Sequence, residues 1–279
     1  MGNTTAPKLL FSCGYNLNDT LSEIIPFTFG KKISWKLANM QIDSPAVYLS
    51  EYKTPSFVSA SLPFKNEIYH SLEGLHFDLV QVLSPNSLIV NGYNPVFRQK
   101  ALQKIGTNGT IKQEQVYKHQ LQHSSNFSID GYMSYNKEHS RIIFTYYYRN
   151  EFVCLDTNMK VMYTGKMIDT NTVAKIETAE IEKDGRKVRT MAKPALTVNN
   201  KGYSDGNWYY NHSALTADNE DNNLFGSYET IDVYQLDNGK YSHSIYLPGH
   251  KGQRMTGFAV KGKVLIALYG QYIVTYRLK

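Results

Sequence analysis

Short runs of β-branched and aromatic residues recur along the whole sequence, and Gly, Asn, Asp or Pro bounds each run. This pattern is typical of β-strands joined by tight turns, and no stretch sustains the apolar spacing of a helix. The clearest group predicts four successive strands, at Ile129–Tyr135, Arg141–Tyr148, Glu151–Leu155 and Lys160–Met167. Four consecutive strands within about 42 residues are the content of one β-propeller blade.

The same order of strands and turns recurs on both sides of this group. Upstream, strands are predicted at Phe77–Leu83, Ser87–Asn91, Pro95–Lys104 and Thr110–Lys118. Downstream, they are predicted at Asn207–Leu215, Asn223–Tyr228, Thr230–Leu236 and Lys240–Leu247. The interval before the downstream unit has room for either two blades or one blade with an insertion. A hairpin at 175–190, with Asp184-Gly185 as its two-residue turn, is predicted inside that interval.

The C-terminal segment predicts only three strands, at Met255–Val260, Lys263–Tyr269 and Gln271–Leu278. Propellers often complete their last blade with a strand from the other terminus, which removes two open sheet edges. Lys8–Ser12 or Thr20–Phe29 could supply that strand. With about one further blade in residues 30–76, the sequence predicts a single all-β propeller domain over 1–279, with six blades and with five as the alternative.

Two segments resemble a known family. The C-terminal run IDVYQLDNGKYSHSIYLPGHKGQRMTGFAVKGKVLIALYGQYIVTYRLK and the earlier run SPNSLIVNGYNPVF resemble blades of TolB-like six-bladed β-propellers, a group frequent among cell-envelope lipoproteins of Gram-negative bacteria. The resemblance implies a periplasmic or outer-membrane-associated location. Leu10-Phe11-Ser12-Cys13 resembles a lipidation box, but only Leu9, Leu10 and Phe11 supply the apolar region that a signal peptide needs. Cys13 is therefore either a lipid attachment site or, as the favoured interpretation, part of an ordinary strand.

Composition narrows the function classes. Lys and Arg number 30 against 24 Asp and Glu, but the basic residues are scattered, so no nucleic-acid interface is predicted. No apolar stretch approaches the ~18 residues that span a bilayer, and no phosphate-binding loop or dinucleotide fingerprint occurs, so neither a transmembrane segment nor a cofactor is predicted. The two cysteines, Cys13 and Cys154, allow one disulfide at most. Of the 22 tyrosines, some are predicted to pack between blades and so to complete the core.

Candidate catalytic and metal sites are few. Asp78 and Asp130 fall near the starts of the first strands of consecutive units, where two carboxylates could act as the acid and base of a glycosidase. The favoured interpretation is that they hydrogen-bond the backbone of a neighbouring blade. Two weaker patterns, His119 with His123 and an EF-hand-like series at Asp218, Glu220, Asn222 and Glu229, lack the helices that such metal sites need, so no metal is predicted.

The remaining candidates are aromatic. Trp208, Tyr209, Tyr210 and His212 lie in the least regular part of the sequence and are predicted to meet a ligand, because Tyr and Trp combine apolar area with a polar group. The sequence therefore predicts a monomeric, non-catalytic binding propeller of the bacterial cell envelope, with a protein, peptide or glycan as its partner. The alternative is a carbohydrate-active propeller that uses Asp78 and Asp130.

Overall fold

The structure, a computed structural model, describes residues 9–14, 17–26, 33–34, 37–122, 125–215 and 227–278. Its regular elements are β-strands and short 3₁₀ segments, so the prediction of an all-β chain is confirmed. In this part of the chain, no helix has the length and apolar character needed to cross a membrane. Packing divides the chain into two compact units, residues 1–118 and 119–279, and each unit is described on its own. The interpretation as a single domain stays a prediction.

The described residues of the unit 1–118 form three antiparallel sheets. The first has two strands, β1 (Leu9–Ser12) and β2 (Leu21–Ile24). The second has four strands in sequential order, β3 (Asn39–Asp43), β4 (Ala46–Glu51), β5 (Ser56–Ser61) and β6 (Lys65–Ser71). The third also has four, β7 (Phe77–Ser84), β8 (Ser87–Asn94), β9 (Gln99–Gly106) and β10 (Lys112–Lys118).

In the unit 119–279, the part of the chain that the structure describes forms four antiparallel sheets. One has the four strands β11 (Gly131–Asn136), β12 (Arg141–Tyr146), β13 (Glu151–Asp156) and β14 (Val161–Lys166). A two-stranded sheet follows, β15 (Thr178–Lys183) and β16 (Arg186–Met191). The next has β17 (Asn199–Asp205), β18 (Trp208–Ser213), β19 (Tyr228–Gln235) and β20 (Tyr241–Pro248). The last has β21 (Met255–Lys261), β22 (Val264–Tyr269) and β23 (Tyr272–Arg277).

Several predictions of local structure are confirmed. The four strands expected within 127–168 are β11 to β14, each within a few residues of its predicted bounds. The hairpin β15–β16 turns at Asp184 and Gly185, whose φ angles of 53° and 70° are those of the expected type I′ turn. The three C-terminal strands are also confirmed.

The downstream unit was predicted wrongly in two respects. Tyr228 and Thr230 belong to one continuous strand, β19, whereas separate strands were expected at Asn223–Tyr228 and Thr230–Leu236. Residues 223–226 of the first of these lie outside the described residues. The unit also begins earlier than predicted, because β17 precedes the strand expected at 207–215. The sequence of β17 is polar and does not show the pattern of a strand. In the structure, its Gly202 packs closely against the Tyr132 and Tyr209 side chains. Upstream, β9 begins at Gln99 instead of Pro95.

Five of the sheets in the described residues have three or four strands, which agrees with the alternative of five blades. The ring closure expected from an N-terminal strand is not found among these residues. Leu9–Ser12 pairs with Leu21–Ile24, so both candidate strands are used in a sheet of their own, and the C-terminal sheet has three strands. Residues 27–29 of the predicted strand Thr20–Phe29 lie outside the described residues.

Tyrosine contributes to the core, as predicted. Phe152, Tyr209 and Tyr234 are all fully buried and pack against one another, with ring centroids 5.3–6.3 Å apart. The Tyr209 hydroxyl lies 2.6 Å from Thr145 Oγ1 on β12, and burial raises the pKa of Tyr209 to about 12, so the hydroxyl stays protonated. The three rings thus fill the space between two sheets, while the hydroxyls of Tyr209 and Tyr234 keep hydrogen-bond partners.

Candidate functional site

A cleft of about 1140 Å³ opens in the unit 119–279 beside the root of the β15–β16 hairpin. Two chain segments form its walls, residues 173–177 before the hairpin and residues 193–197 after it. His212 of β18, Glu229 of β19 and Arg254, which precedes β21, line another part of the cleft. The cleft therefore joins the hairpin root to the last two sheets of the chain.

Glu229 is the centre of a buried charged cluster in this cleft. Its side chain is 1% exposed, and its Oε2 lies 2.9 Å from Nε2 of His212. Arg254 donates from Nε to Oε1 at 2.9 Å and from Nη2 to Oε2 at 3.1 Å, which is the bidentate geometry of a strong ion pair. The backbone N–H of Met255 donates to Oε1 at 3.0 Å. One carboxylate thus ties β18 and β19 to the start of β21.

Electrostatics keep this carboxylate ionised. Burial alone would raise the pKa of Glu229, but the hydrogen bonds from His212, Arg254 and the Met255 backbone outweigh it and lower the pKa to about 2. A carboxylate with so low a pKa does not take up a proton near neutral pH. Glu229 therefore suits the task of fixing the His212 and Arg254 side chains better than that of a general base.

The Arg254 side chain is 51% exposed although its guanidinium is fixed by a buried carboxylate. Around it, the cleft carries a second ion pair, in which Lys193 Nζ lies 2.6 Å from Glu177 Oε1. Lys175 adds another exposed cation. The walls between these groups are largely apolar and consist of Val173, Ala174, Ile176, Pro194, Ala195, Leu196, Ala214, Leu215 and Met255. Apolar walls with a few fixed polar groups are the usual make-up of a ligand site.

The structure separates the four residues predicted to meet a ligand. His212 lines the cleft. Tyr209 and Tyr210 are 1% and 5% exposed and pack into two different core clusters. Trp208 is half-buried and lines a smaller depression of about 430 Å³, together with His139, Arg141, Asn207, Gln235, Leu236 and Asp237. Strand alternation places Tyr209 on the face opposite to Trp208, Tyr210 and His212. Trp208 packs against the same core cluster as Tyr210.

The two candidate catalytic carboxylates lie in different units. Asp78 on β7 is exposed and forms an ion pair with Lys100 on β9. Asp130 follows the 3₁₀ helix Asn126–Ile129, and its backbone carbonyl accepts a hydrogen bond from the Tyr147 N–H at 2.9 Å.

The histidine and cysteine candidates are placed in part. His119 is buried, with Nδ1 3.2 Å from the Tyr146 hydroxyl, while His123 lies outside the described residues. Cys13 is an exposed free thiol and Cys154 a buried one. Among the residues that the structure describes, no three His, Cys, Asp or Glu side chains gather as metal ligands would.

Glu229 is the functional candidate whose environment the sequence did not reveal. The sequence pattern places Glu229 last in an EF-hand-like acidic series, and residues 218, 220 and 222 of that series lie outside the described part of the chain. The sequence did hold one indication of its burial. Glu229 lies two residues before Ile231 and four before Val233, so strand alternation places it on the same buried face as these apolar residues.

No protein-family model matches the sequence, and no curated protein matches it significantly. Solved structures do resemble it in shape. A DUF4221-family protein from Bacteroides vulgatus aligns with a TM-score of 0.51 at 10% identity, over 84% of this chain and 76% of its own. Streptogramin B lyase aligns with a TM-score of 0.50 at 10% identity, over 96% of this chain and 86% of its own.

Both of these structures are propellers. The chain is an all-β propeller. Sqt1 from Saccharomyces cerevisiae aligns with a TM-score of 0.48 at 8% identity over 97% of this chain, which spans 66% of the Sqt1 structure. At sequence identities this low, a likeness in shape shows the fold alone. The function has to be argued from the side chains of this chain.

Proposed function

We propose that this propeller is a non-catalytic binding module and that its ligand occupies the cleft around Glu229. The observation that carries the proposal is the half-exposed Arg254 side chain, whose guanidinium a buried carboxylate holds in one orientation through two hydrogen bonds. A side chain fixed before the ligand arrives loses little conformational entropy on binding.

The chemistry of the cleft supports a ligand with both apolar and polar parts. The apolar walls suit the side chains of a peptide or the flat faces of sugar rings, while Arg254 and Lys175 suit carbonyl, carboxylate or hydroxyl oxygens. A glycan or a peptide therefore remains the proposed ligand. Of the four residues predicted from the sequence, His212 is proposed to be the one that meets it, with Tyr209 and Tyr210 as support beneath.

The location and assembly are proposed from the sequence. The likeness to TolB-like propellers supports the bacterial cell envelope, and a monomer is the proposed state. A sixth, reduced blade is proposed at the N-terminal part of the chain, where the two-stranded sheet β1–β2 is the available material. The carbohydrate-active alternative gains no support at Asp78, whose carboxylate is already engaged by Lys100.

A glycan and peptide array screen of the full chain tests the proposal, followed by titration of the best ligand by calorimetry. Arg254→Gln and Lys175→Glu should each weaken binding at least tenfold. Lys175 is exposed, so its substitution should leave the melting temperature unchanged and separates a loss of contact from a loss of fold.

Arg277→Gln, at an exposed arginine on β23 outside the cleft, is the matched control and should bind as the wild type does. If Arg254→Gln and Lys175→Glu both bind with wild-type affinity, the cleft is not the ligand site and the proposal is wrong. Hydrolysis or cleavage of a glycan that Asp78→Asn or Asp130→Asn abolishes would replace it with the enzymatic alternative.

A further inference from the structure

The β15–β16 hairpin, Thr178–Met191, forms a sheet of its own. In the part of the chain that the structure describes, no third strand pairs with either of its edges. All side chains from Glu180 to Arg189 are exposed, so neither face of the hairpin is covered along this stretch. A two-stranded hairpin with two open edges is marginally stable alone and offers unpaired backbone groups to another strand.

The two faces of the hairpin differ in character. Ile181 pairs with Val188 on one face, and these side chains are 46% and 41% exposed. On the other face, Glu180 pairs with Arg189 and Glu182 pairs with Lys187, and Arg189 Nη2 lies 3.7 Å from Glu180 Oε1. On one of its edges, β16 therefore pairs with a strand, β15, in which a glutamate, an apolar residue and a second glutamate follow one another.

The other edge of β16, on the side away from β15, has no strand beside it in the described residues. The side chains of Lys187 and Arg189 are exposed there as well. Arg186, Lys187 and Arg189 give this strand three positive charges, and it carries no carboxylate. β15, in contrast, carries both signs, with Lys183 beside Glu180 and Glu182. Because side chains in a strand stand perpendicular to the sheet, Lys187 and Arg189 can contact a strand on either side of β16.

We propose that the open edge of β16 binds an extended acidic segment of a partner protein by strand addition. The incoming segment repeats the pattern of β15 on the opposite side, with apolar residues beside Val188 and carboxylates beside Lys187 and Arg189. Main-chain hydrogen bonds supply affinity, and the alternation of charge and apolar side chains sets the register. The inference does not depend on what occupies the cleft, although the two chain segments that form the cleft walls lead directly into the hairpin.

A second copy of the chain is the competing occupant, because its own β15 carries the acidic pattern. Such pairing would be head-to-tail and would continue from copy to copy, with no closed end. Charges on an edge strand also serve to prevent unwanted pairing, in which case no acidic strand would bind. Both alternatives are outcomes of the experiment below.

The probe is a nine-residue peptide that alternates Glu and Val, with both ends blocked, titrated into the full chain at low salt by fluorescence anisotropy. Binding should be accompanied by slower amide hydrogen exchange in residues 186–191. Replacing each Glu of the peptide by Lys, or its central residue by Pro, should abolish both effects, since Pro cannot take part in a β-ladder.

A charge-swap variant keeps the internal pairs of the hairpin while inverting its edge: Glu180→Lys, Glu182→Lys, Lys187→Glu and Arg189→Glu. It should lose at least tenfold in affinity for the Glu–Val peptide and gain affinity for the Lys–Val peptide. The control Lys160→Glu with Lys166→Glu alters two exposed lysines at β14, an outer strand of another sheet, and should change neither affinity.

The proposal is overturned if the charge-swap variant keeps its preference for the Glu–Val peptide, or if no amide in 186–191 is protected when peptide is bound. It is also overturned if the chain alone forms oligomers in sedimentation that the charge swap leaves intact and the peptide cannot compete with. The cleft variants Arg254→Gln and Lys175→Glu should leave peptide binding at β16 unchanged, which separates this inference from the proposed function.

Discussion

Glu229 Oε2 lies 2.9 Å from Nε2 of His212, and the two side chains are only 1% and 5% exposed. They stand on neighbouring strands, β19 and β18, and Arg254 joins them from the chain that enters β21. A buried carboxylate with four donor atoms around it, here from His212, Arg254 and Met255, is strongly stabilised as long as it is ionised. The cluster therefore makes the packing of the last two sheets depend on the charge of one residue.

Acid should weaken this cluster. The native pKa of Glu229 is about 2, below its ordinary value of 4.5, so its contribution to stability is complete above pH 4.5 and is lost as the pH falls towards 2. The contribution amounts to about 3 kcal/mol. Urea unfolding of the wild type and of Glu229→Gln at pH 6 and pH 2.5 should show the difference between the two proteins shrinking at the lower pH. An equal difference at both pH values would contradict the assignment.

Gly202→Ala should destabilise the unit 119–279. A Cβ at this position would meet the Tyr209 hydroxyl and, at 2.8 Å, the ring of Tyr132, both of which are fixed in the buried space between two sheets. Overpacking of this kind costs about 1–3 kcal/mol. Gly257→Ala is the matched control, because its nearest neighbour is the end of the flexible Lys201 side chain at 3.2 Å. Chemical denaturation should rank the control well above Gly202→Ala in stability.

Arg149→Lys should also be destabilising, although it keeps the charge. The Arg149 side chain is 1% exposed, lies 3.4 Å from the centre of the Tyr146 ring and donates to the Ser128 carbonyl at 2.7 Å. Lysine cannot reproduce the planar stack and the several donors together. We expect a loss of about 3 kcal/mol in the free energy of unfolding. The exposed Arg189→Lys serves as the comparison, and similar losses in both variants would refute the role of burial.

The two cysteines should differ in reactivity. Cys13 is exposed, whereas burial raises the pKa of the Cys154 thiol and shields it from reagents. Ellman's reagent should therefore react with one thiol per chain in the native protein and with two after unfolding in guanidinium chloride. In the variant Cys13→Ser the fast reaction should disappear. A fast reaction that survives this substitution would show that Cys154 is accessible in the native state.

The sequence predicted local structure well where a turn tolerates few residue types. Asp184-Gly185 specifies a two-residue hairpin because both positions need positive φ. Likewise, the apolar runs of β12 and β13 could only be buried strands. β17 was missed because its sequence, NNKGYSD, is polar, and its place in a sheet is decided by the Tyr132 and Tyr209 rings that pack over Gly202.

The site was harder to predict than the fold. The cleft gathers His212, Glu229 and Arg254 from positions that no short motif connects, and their contacts exist only once β18, β19 and β21 are assembled. Conversely, the aromatic run at 208–210 is predicted to meet a ligand from its composition, although the structure buries Tyr209 and Tyr210 on opposite faces of β18 in two core clusters. A sequence lists side chains in order, while a binding site depends on which of them converge in space.

The buried tyrosine hydroxyls have a consequence for assembly. Tyr132 on β11 donates to Asn211 on β18, Asn211 donates to Asn199 at 2.9 Å, and Tyr209 meets Thr145 across the same boundary. Two aliphatic surfaces would tolerate many partners, but these donors and acceptors match only when these two sheets meet each other. The polar contacts therefore make the packing of these two sheets specific. They favour the contact between these two sheets over contacts with other sheets of similar strand order, and so oppose exchange of these blades during folding.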